Sequence, residues 1–316
     1  MHPDRMTPIR LSLVTPCHNE QACIPPFLAR IGQVFSSSDD VTLELVFVND
    51  GSTDGTLQCL RDCLRTDPRI IIVDLSRNFG KEAALSAGLD TATGDAVVPL
   101  DADLQDPPEL IPDMLAKWRE GYDVVLAHRK NRDADSWAKR STARWFYRLH
   151  NMFSEVALPD NVGDFRLMDR RVVEALRRLP ESCRFMKGLF AWLGFRTTSI
   201  DYVREARAAG TTKFNTWRLW NFALDGITSF STVPLRIWTY VGIFCAFLAF
   251  LLAMFFLTRT LLFGIDVPGY ASIIIVITFL GGLQLTGIGI LGEYLGRTYL
   301  ESKRRPLYVV RNVYHR

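Results

Sequence analysis

The chain has 316 residues, 48% of them hydrophobic and 22% charged, with a formal net charge of +3. That length holds one large or two ordinary domains, the composition excludes a disordered chain, and the charge is too small to point to nucleic acid. The six cysteines (Cys17, Cys23, Cys59, Cys63, Cys183, Cys245) form neither a Cys-x-x-Cys pair nor a zinc spacing, and the polar start Met1-His2-Pro3-Asp4-Arg5 lacks a signal-peptide core. A catalytic part made and kept in a reducing cytosol is the expectation.

From Ile9 to Asp123 strand-like runs alternate with helix-like ones. Ile9–Val14 predicts a strand that ends at Thr15-Pro16-Cys17-His18-Asn19-Glu20. A helix to about Phe35 follows, with Pro25 and Pro26 tolerable only in its first turn. Leu43–Val48 predicts a buried strand ending in Asn49-Asp50-Gly51-Ser52, and Ser52 or Thr53 can cap the helix that runs to about Thr66. Ile70–Leu75 and the helix Gly80–Thr91 come next, then Ala96–Leu100, the helix Pro108–Glu120 and Val124–His128. This βαβα order predicts a doubly wound α/β layer with a mostly parallel sheet, which binds ligands beyond the carboxyl ends of its strands. Those ends carry Asn19-Glu20, Asp50, Arg77-Asn78, Asp101 with Asp103, and Arg129.

The fourth strand ends in Asp101-Ala102-Asp103-Leu104-Gln105-Asp106-Pro107-Pro108. Two carboxylates so close are costly unless a cation sits between them, and Mg²⁺ or Mn²⁺ takes one or two carboxylates plus substrate phosphate oxygens. The pattern suggests a metal–diphosphate site; a solvated acidic turn is the plain alternative. No Gly-x-Gly-x-x-Gly follows the first strand and no Gly-x-x-x-x-Gly-Lys-Ser/Thr occurs, which disfavours dinucleotide oxidoreductases and P-loop NTPases. The calcium-like run from Asp50 to Gly55 fails because its twelfth position is Arg61 rather than Glu.

In the second half, 136–156 predicts an amphipathic helix anchored by Trp137, Trp145, Phe146, Leu149 and Phe153. In Val162-Gly163-Asp164-Phe165-Arg166-Leu167-Met168, Asp164 and Arg166 alternate with apolar neighbours and so share one side of an extended segment. A surface salt bridge would explain the pair equally well. Asp169 caps a helix to Leu179, and Thr197–Glu205 is strand-like. Arg207-Ala-Ala-Gly210-Thr211-Thr212-Lys213 is a flexible basic loop of the kind that closes over phosphate. Trp217–Phe230 reads as an interfacial helix. Ile237–Leu257 and Ala271–Leu291 each have the length to cross a hydrocarbon core of about 30 Å. Arg236 precedes the first, while Arg297, Lys303, Arg304, Arg305 and Arg311 follow the second, so both ends are expected to be cytoplasmic. Gly282, Thr286, Gly289, Gly292 and Gly296 suit close helix packing, and a homo-oligomer is expected. The expected organisation is thus 1–215 catalytic, 216–235 juxtamembrane, 236–294 a two-helix transmembrane hairpin and 295–316 a basic tail.

These motifs together resemble family 2 glycosyltransferases of the polyprenyl-phosphate type over essentially the whole chain, with most similarity to bacterial bactoprenol glucosyltransferases of O-antigen modification. The resemblance rests on Pro16-Cys-His-Asn19-Glu20, Asn49-Asp50-Gly-Ser52, Asp101-Ala-Asp103-Leu-Gln105, Gly163-Asp164-Phe-Arg166, Arg207 to Lys213, and the two C-terminal spans. Many relatives carry a second aspartate where this chain has Asn49. The resemblance implies a GT-A fold and an inverting transfer of glucose from UDP-glucose to undecaprenyl phosphate at the inner face of a bacterial inner membrane. It implies that Pro16, Glu20 and Asp50 line a uridine pocket and that Asp101 reaches the ribose. Asp103 and Gln105 would hold Mg²⁺ or Mn²⁺, and Arg207 and Lys213 would close over the diphosphate. Arg129 and Arg166 would hold the acceptor phosphate, with Asp164 at the reacting centre. GDP-mannose or a UDP-formamido-arabinose are alternative donors, and a non-catalytic nucleotide-binding scaffold is a reading from another class. A processive polysaccharide synthase is disfavoured, because Arg140-Ser141-Thr-Ala-Arg144-Trp145 lacks the required Gln and only two spans exist.

Overall fold

A computed structural model describes residues 8–36, 38, 40–130, 162–179, 181, 184, 186–202, 233–263 and 269–316. The expected helix 136–156, the basic loop with Arg207 and Lys213, and the aromatic segment 217–230 lie outside the described residues.

The apolar runs form strands where their composition predicts. They are β1 (Ile9–Cys17), β2 (Val41–Asn49), β3 (Ile70–Leu75), β4 (Ala96–Pro99) and β5 (Val124–Arg129), joined later by β6 (Val162–Asp169), β7 (Thr197–Tyr202) and β8 (Val310–Tyr314). All eight share one sheet in the order β7-β5-β6-β4-β1-β2-β3-β8. The pairs β1–β2, β1–β4, β2–β3 and β5–β7 are parallel, while β6 runs antiparallel to β4 and β5, and β8 to β3. The sheet is mostly parallel, as expected, and mixed: β1, β2, β3, β4, β5 and β7 run one way, with β6 and β8 reversed. β1 continues through Pro16 to Cys17, three residues beyond the expected end. Pairing with β4 stops at Val14, so the missing N–H of Pro16 breaks no rung there.

Helices α1 (Ile24–Val34), α2 (Thr56–Thr66) and α4 (Ile111–Arg119, after a 3₁₀ turn Pro108–Leu110) cover one face through Ile24, Phe27, Ile31, Leu60, Ile111 and Met114. Helices α3 (Lys81–Thr91), α5 (Arg170–Arg177) and α6 (Met186–Trp192) cover the other through Ala84, Leu85, Val172, Val173, Leu176 and Leu189. The result is a three-layer α/β/α body. Pro25 lies in the first turn of α1, and Asp169 caps α5 by accepting the Arg171 N–H. The expected cap of α2 shifts: the helix starts at Thr56, and Asp54 rather than Ser52 or Thr53 accepts the Thr56 N–H at 3.0 Å. Ser52 is used elsewhere, taking the Asn19 N–H at 3.1 Å.

At the amino end of the strands, Glu44 is 2% exposed. Its carboxylate accepts from Ser12, from the Thr93 N–H and hydroxyl at 2.8 and 2.7 Å, and from Arg10 at 2.7 Å.

Two long helices follow, α7 (Val233–Phe263) and α8 (Tyr270–Ser302). Among the described residues no helix is long and apolar enough to cross a membrane. The transmembrane hairpin expected at 236–294, and with it the multi-pass arrangement, is not borne out. Small and polar residues interrupt the apolar run of the continuous helix α8 (Gly281, Gly282, Gln284, Thr286, Gly289, Gly292, Glu293), and several side chains in both helices lie outside the description. The pair does expose large apolar groups, including Phe244, Phe250, Leu261, Leu262 and Leu285, each more than 60% accessible. The C-terminal segment then returns to the sheet as β8, where Arg311 donates to the Ser76 carbonyl at 2.7 Å and Tyr308 to Asp90 at 2.6 Å.

Candidate active site

A cavity of about 280 Å³ opens beyond the carboxyl ends of β1, β2 and β4. Pro16, Cys17, His18 and Glu20 line it from the end of β1, Asp50 from β2, Asn78, Gly80 and Lys81 from the turn into α3, and Asp101 and Asp103 from β4. Five of the sequence-predicted residues (Pro16, Glu20, Asp50, Asp101, Asp103) are thus brought to one crevice. Burial holds the Cys17 thiol well above its ordinary pKa, so it lines the cavity as a neutral group.

Asp50 has a more specific task than lining. It is 3% exposed, and its two oxygens accept the N–H groups of Phe79 and Gly80 at 2.7 and 3.0 Å. Gly80, at φ +98°, adopts backbone that a side chain disfavours. Asp50 therefore fixes the turn that opens α3. The first helical residue is Lys81, whose ammonium lies 2.7 Å from Asp101 Oδ2 and 3.1 Å from Asp164 Oδ2. Partial desolvation by the surrounding groups alone would pull the Lys81 pKa down. The two carboxylates outweigh it and raise the pKa well above its ordinary value, so Lys81 is a fixed cation. Sequence reasoning missed Lys81. The available signal was a cation at a helix N-terminus, where the helix dipole disfavours positive charge and anions must compensate.

The alternation in β6 holds. Phe165 and Leu167 enter one core layer, while Arg166 stacks at 4.1 Å on Phe190, which belongs to the other. Arg166 is 4% exposed and donates to the Gly163 carbonyl at 2.7 Å. Burial pushes its pKa down to about 10, against the opposing pull of Asp164 and Glu82. Arg129 approaches Gly163 from another direction: a Cβ there would lie 3.2 Å from its guanidinium, which accounts for the glycine. Arg129 also donates to the Tyr202 hydroxyl at 3.0 Å and lies 3.8 Å from Asp106, which the same hydroxyl contacts. Burial and Asp106 push the Tyr202 phenol up to about 12. Arg129 and Arg166 converge on Gly163, beside Asp164, but neither lines the cavity. Gln105 is buried and also stands outside the lining, while Asp103 opens onto it. Arg207 and Lys213 lie outside the described residues.

Among the described residues no cluster of three or more His, Cys, Asp or Glu side chains could enclose a metal ion. Asp103 at the cavity still fits a hard divalent cation, since Mg²⁺ and Mn²⁺ take one or two carboxylates and complete their shells with water and phosphate oxygens.

The site is thus a set of acidic strand ends around a cavity on a mixed α/β sheet. The family description "Glycosyl transferase family 2" matches residues 12–177. A bactoprenol glucosyl transferase of Shigella phage SfV is 51% identical over 304 residues, covering 96% of this chain and 99% of that protein. The prophage bactoprenol glucosyl transferase homolog of Escherichia coli (strain K12) is 50% identical over 305 residues, 96% of this chain and 99% of its own. An uncharacterized glycosyltransferase of Synechocystis is 53% identical over 306 residues, 97% of this chain and 96% of that one. The chain belongs to glycosyl transferase family 2, and it is a glycosyltransferase.

Proposed function

We propose that the enzyme transfers glucose from UDP-glucose to a polyprenyl phosphate, giving a polyprenyl-phosphate sugar. The observation that carries this reading is identity of 51% across 96% of the chain to a bactoprenol glucosyl transferase. The cavity supports it, because acidic and amide groups meet there at strand ends. In this reading Pro16, Glu20 and Asp50 surround the base, Asp50 acting through the turn it holds, and Asp101 faces the ribose. Asp103, with Gln105 behind it, holds Mg²⁺ or Mn²⁺, which would neutralise charge on the departing diphosphate. Arg207 and Lys213 close over that diphosphate. Arg129 and Arg166 sit on the acceptor side with Asp164, and the phosphate of the lipid attacks the anomeric carbon with inversion.

The exposed Phe and Leu side chains of α7 and α8 are read as lipid-facing, since soluble surfaces rarely carry such a patch. They would keep the catalytic sheet at the inner face of the bacterial cell membrane, where a polyprenyl phosphate is reached. Among the described residues, an added Cβ at Gly282, Gly289, Gly292 or Gly296 would meet nothing within 4 Å, a surface that suits packing against a second copy.

The test is a panel of UDP-glucose, GDP-mannose and UDP-formamido-arabinose with undecaprenyl phosphate in detergent, with and without EDTA. Metal-dependent transfer from UDP-glucose is expected. Preference for another donor would replace the sugar assignment, and binding without turnover would favour a scaffold.

A further inference from the structure

Lys81 joins two halves of the site that arrive from different parts of the sheet. Asp101 follows β4, beside the nucleotide cavity, and Asp164 stands on antiparallel β6, next to the arginine that stacks on Phe190. The Lys81 ammonium touches both, at 2.7 and 3.1 Å. Most lysines on helix surfaces sample many rotamers, and holding one costs side-chain entropy. Here the backbone before it is also held, by the two N–H bonds to Asp50 and by the left-handed geometry of Gly80. A side chain placed by this many constraints, on the lining of the cavity and at a helix end that disfavours a cation, is not a chance surface contact.

Resting on the glycosyltransferase reading above, we propose that Lys81 is a positioning residue: its ammonium bridges Asp101 and Asp164 and so aligns the acidic group at the reacting centre with the bound donor. Lys81 acts through Asp164 and does not hold the diphosphate. Loss of the bridge lowers turnover and leaves nucleotide binding in place. An arginine can span two carboxylates with its forked donors, whereas methionine keeps the length and removes the charge.

The experiment compares wild type, Lys81→Met, Lys81→Arg, Asp164→Asn and the Lys81→Met/Asp164→Asn double variant as full-length enzyme. It uses UDP-glucose, undecaprenyl phosphate and Mn²⁺, with UDP–Mn²⁺ binding measured separately. Lys81→Met should lower kcat on the order of 10²-fold, within the range that positioning contributes. Its affinity for UDP–Mn²⁺ should change less than about threefold, inside the scatter of context effects. Lys81→Arg should recover to within about tenfold of wild type. The double variant should be no slower than Asp164→Asn alone, because the two residues act as one unit. Additive losses would overturn the proposal, as would full turnover by Lys81→Met. A loss of UDP binding that matches the loss of kcat would make Lys81 a diphosphate ligand instead. A wild-type enzyme that binds UDP but transfers no sugar would sink the glucosyl-transfer reading and take this proposal with it.

Discussion

Asp164 illustrates what one residue can and cannot do in this reaction. A polyprenyl phosphate is already largely a dianion at pH 7.5, since phosphate monoesters have a second pKa near 6. The attacking oxygen needs no base, and Asp164 is bridged to a cation at 3.1 Å, which suits an orienting carboxylate. Asp164→Asn should therefore lower kcat by a factor that stays constant from pH 7 to 9; a steep recovery toward pH 9 would show a proton acceptor. Glu44 gives a prediction for stability. Burial alone would raise its pKa, but hydrogen bonds from Ser12 and Thr93 and the charge of Arg10 prevail and hold it below its ordinary 4.5. A carboxyl with a depressed folded pKa contributes stability above its unfolded pKa and loses it as pH falls through the folded value. Glu44→Gln should cost about 2 kcal/mol at pH 7. Denaturant unfolding at pH 7 and pH 3.5 should show the gap to wild type narrowing at the lower pH. Glu20, Asp50, Asp101 and Asp103 were legible in the sequence because they follow the ends of apolar runs, and Asp164 because it alternates with apolar neighbours. Lys81 was not, because its partners Asp101 and Asp164 are 20 and 83 positions away in the chain and only the sheet order joins them.

Elements show the same division between local and long-range information. β1 to β5 are readable as short apolar runs bounded by turn residues, and α3 as the segment between Gly80 and Thr91. The direction of β6 is not readable, because nothing in its sequence says that it enters between β4 and β5 in reverse. β8 is hidden for a different reason. Val310–Tyr314 is mostly exposed and carries Arg311 and Asn312, so it reads as a basic tail until pairing with β3 makes it a strand. How tightly the layers pack is also invisible in one dimension. Gly88 of α3 sits so close to the sheet that an added Cβ would lie 2.3 Å from Val14 Cγ1 and 3.0 Å from Val48 Cγ2. Gly88→Ala improves helix propensity yet should destabilise by about 1–3 kcal/mol through overpacking. Adding Val14→Ala should recover part of that loss in a double-variant thermal melt, whereas independent sites would add.

At the scale of the whole molecule, β8 makes the helix pair and the catalytic sheet one topological unit. The chain leaves the α/β body, runs through α7 and α8, and comes back to close the β3 edge. The return is secured by the Ser76 N–H to the Val309 carbonyl at 2.9 Å, by the Tyr308 and Arg311 contacts, and by Arg61 over the Tyr314 ring at 5.1 Å. The carboxyl end of α8 is thus tied to the sheet through β8. This tie changes what a trimmed enzyme would be. A variant that stops at residue 232 removes the helices and β8 together, and exposes an edge strand whose N–H and C=O groups lose their partners. A variant in which a long Gly/Ser linker replaces residues 233–302 removes the same helices but keeps β8. Each lost ladder or side-chain hydrogen bond is worth about 0.5–1.5 kcal/mol. Several lost together should lower the melting temperature by roughly 5–10 °C for a body of this size. The linker variant is expected to melt above the truncated one by that margin and to resist aggregation better. Equal melting temperatures, with equal yields of soluble monomer, would show that β8 adds nothing to the catalytic body.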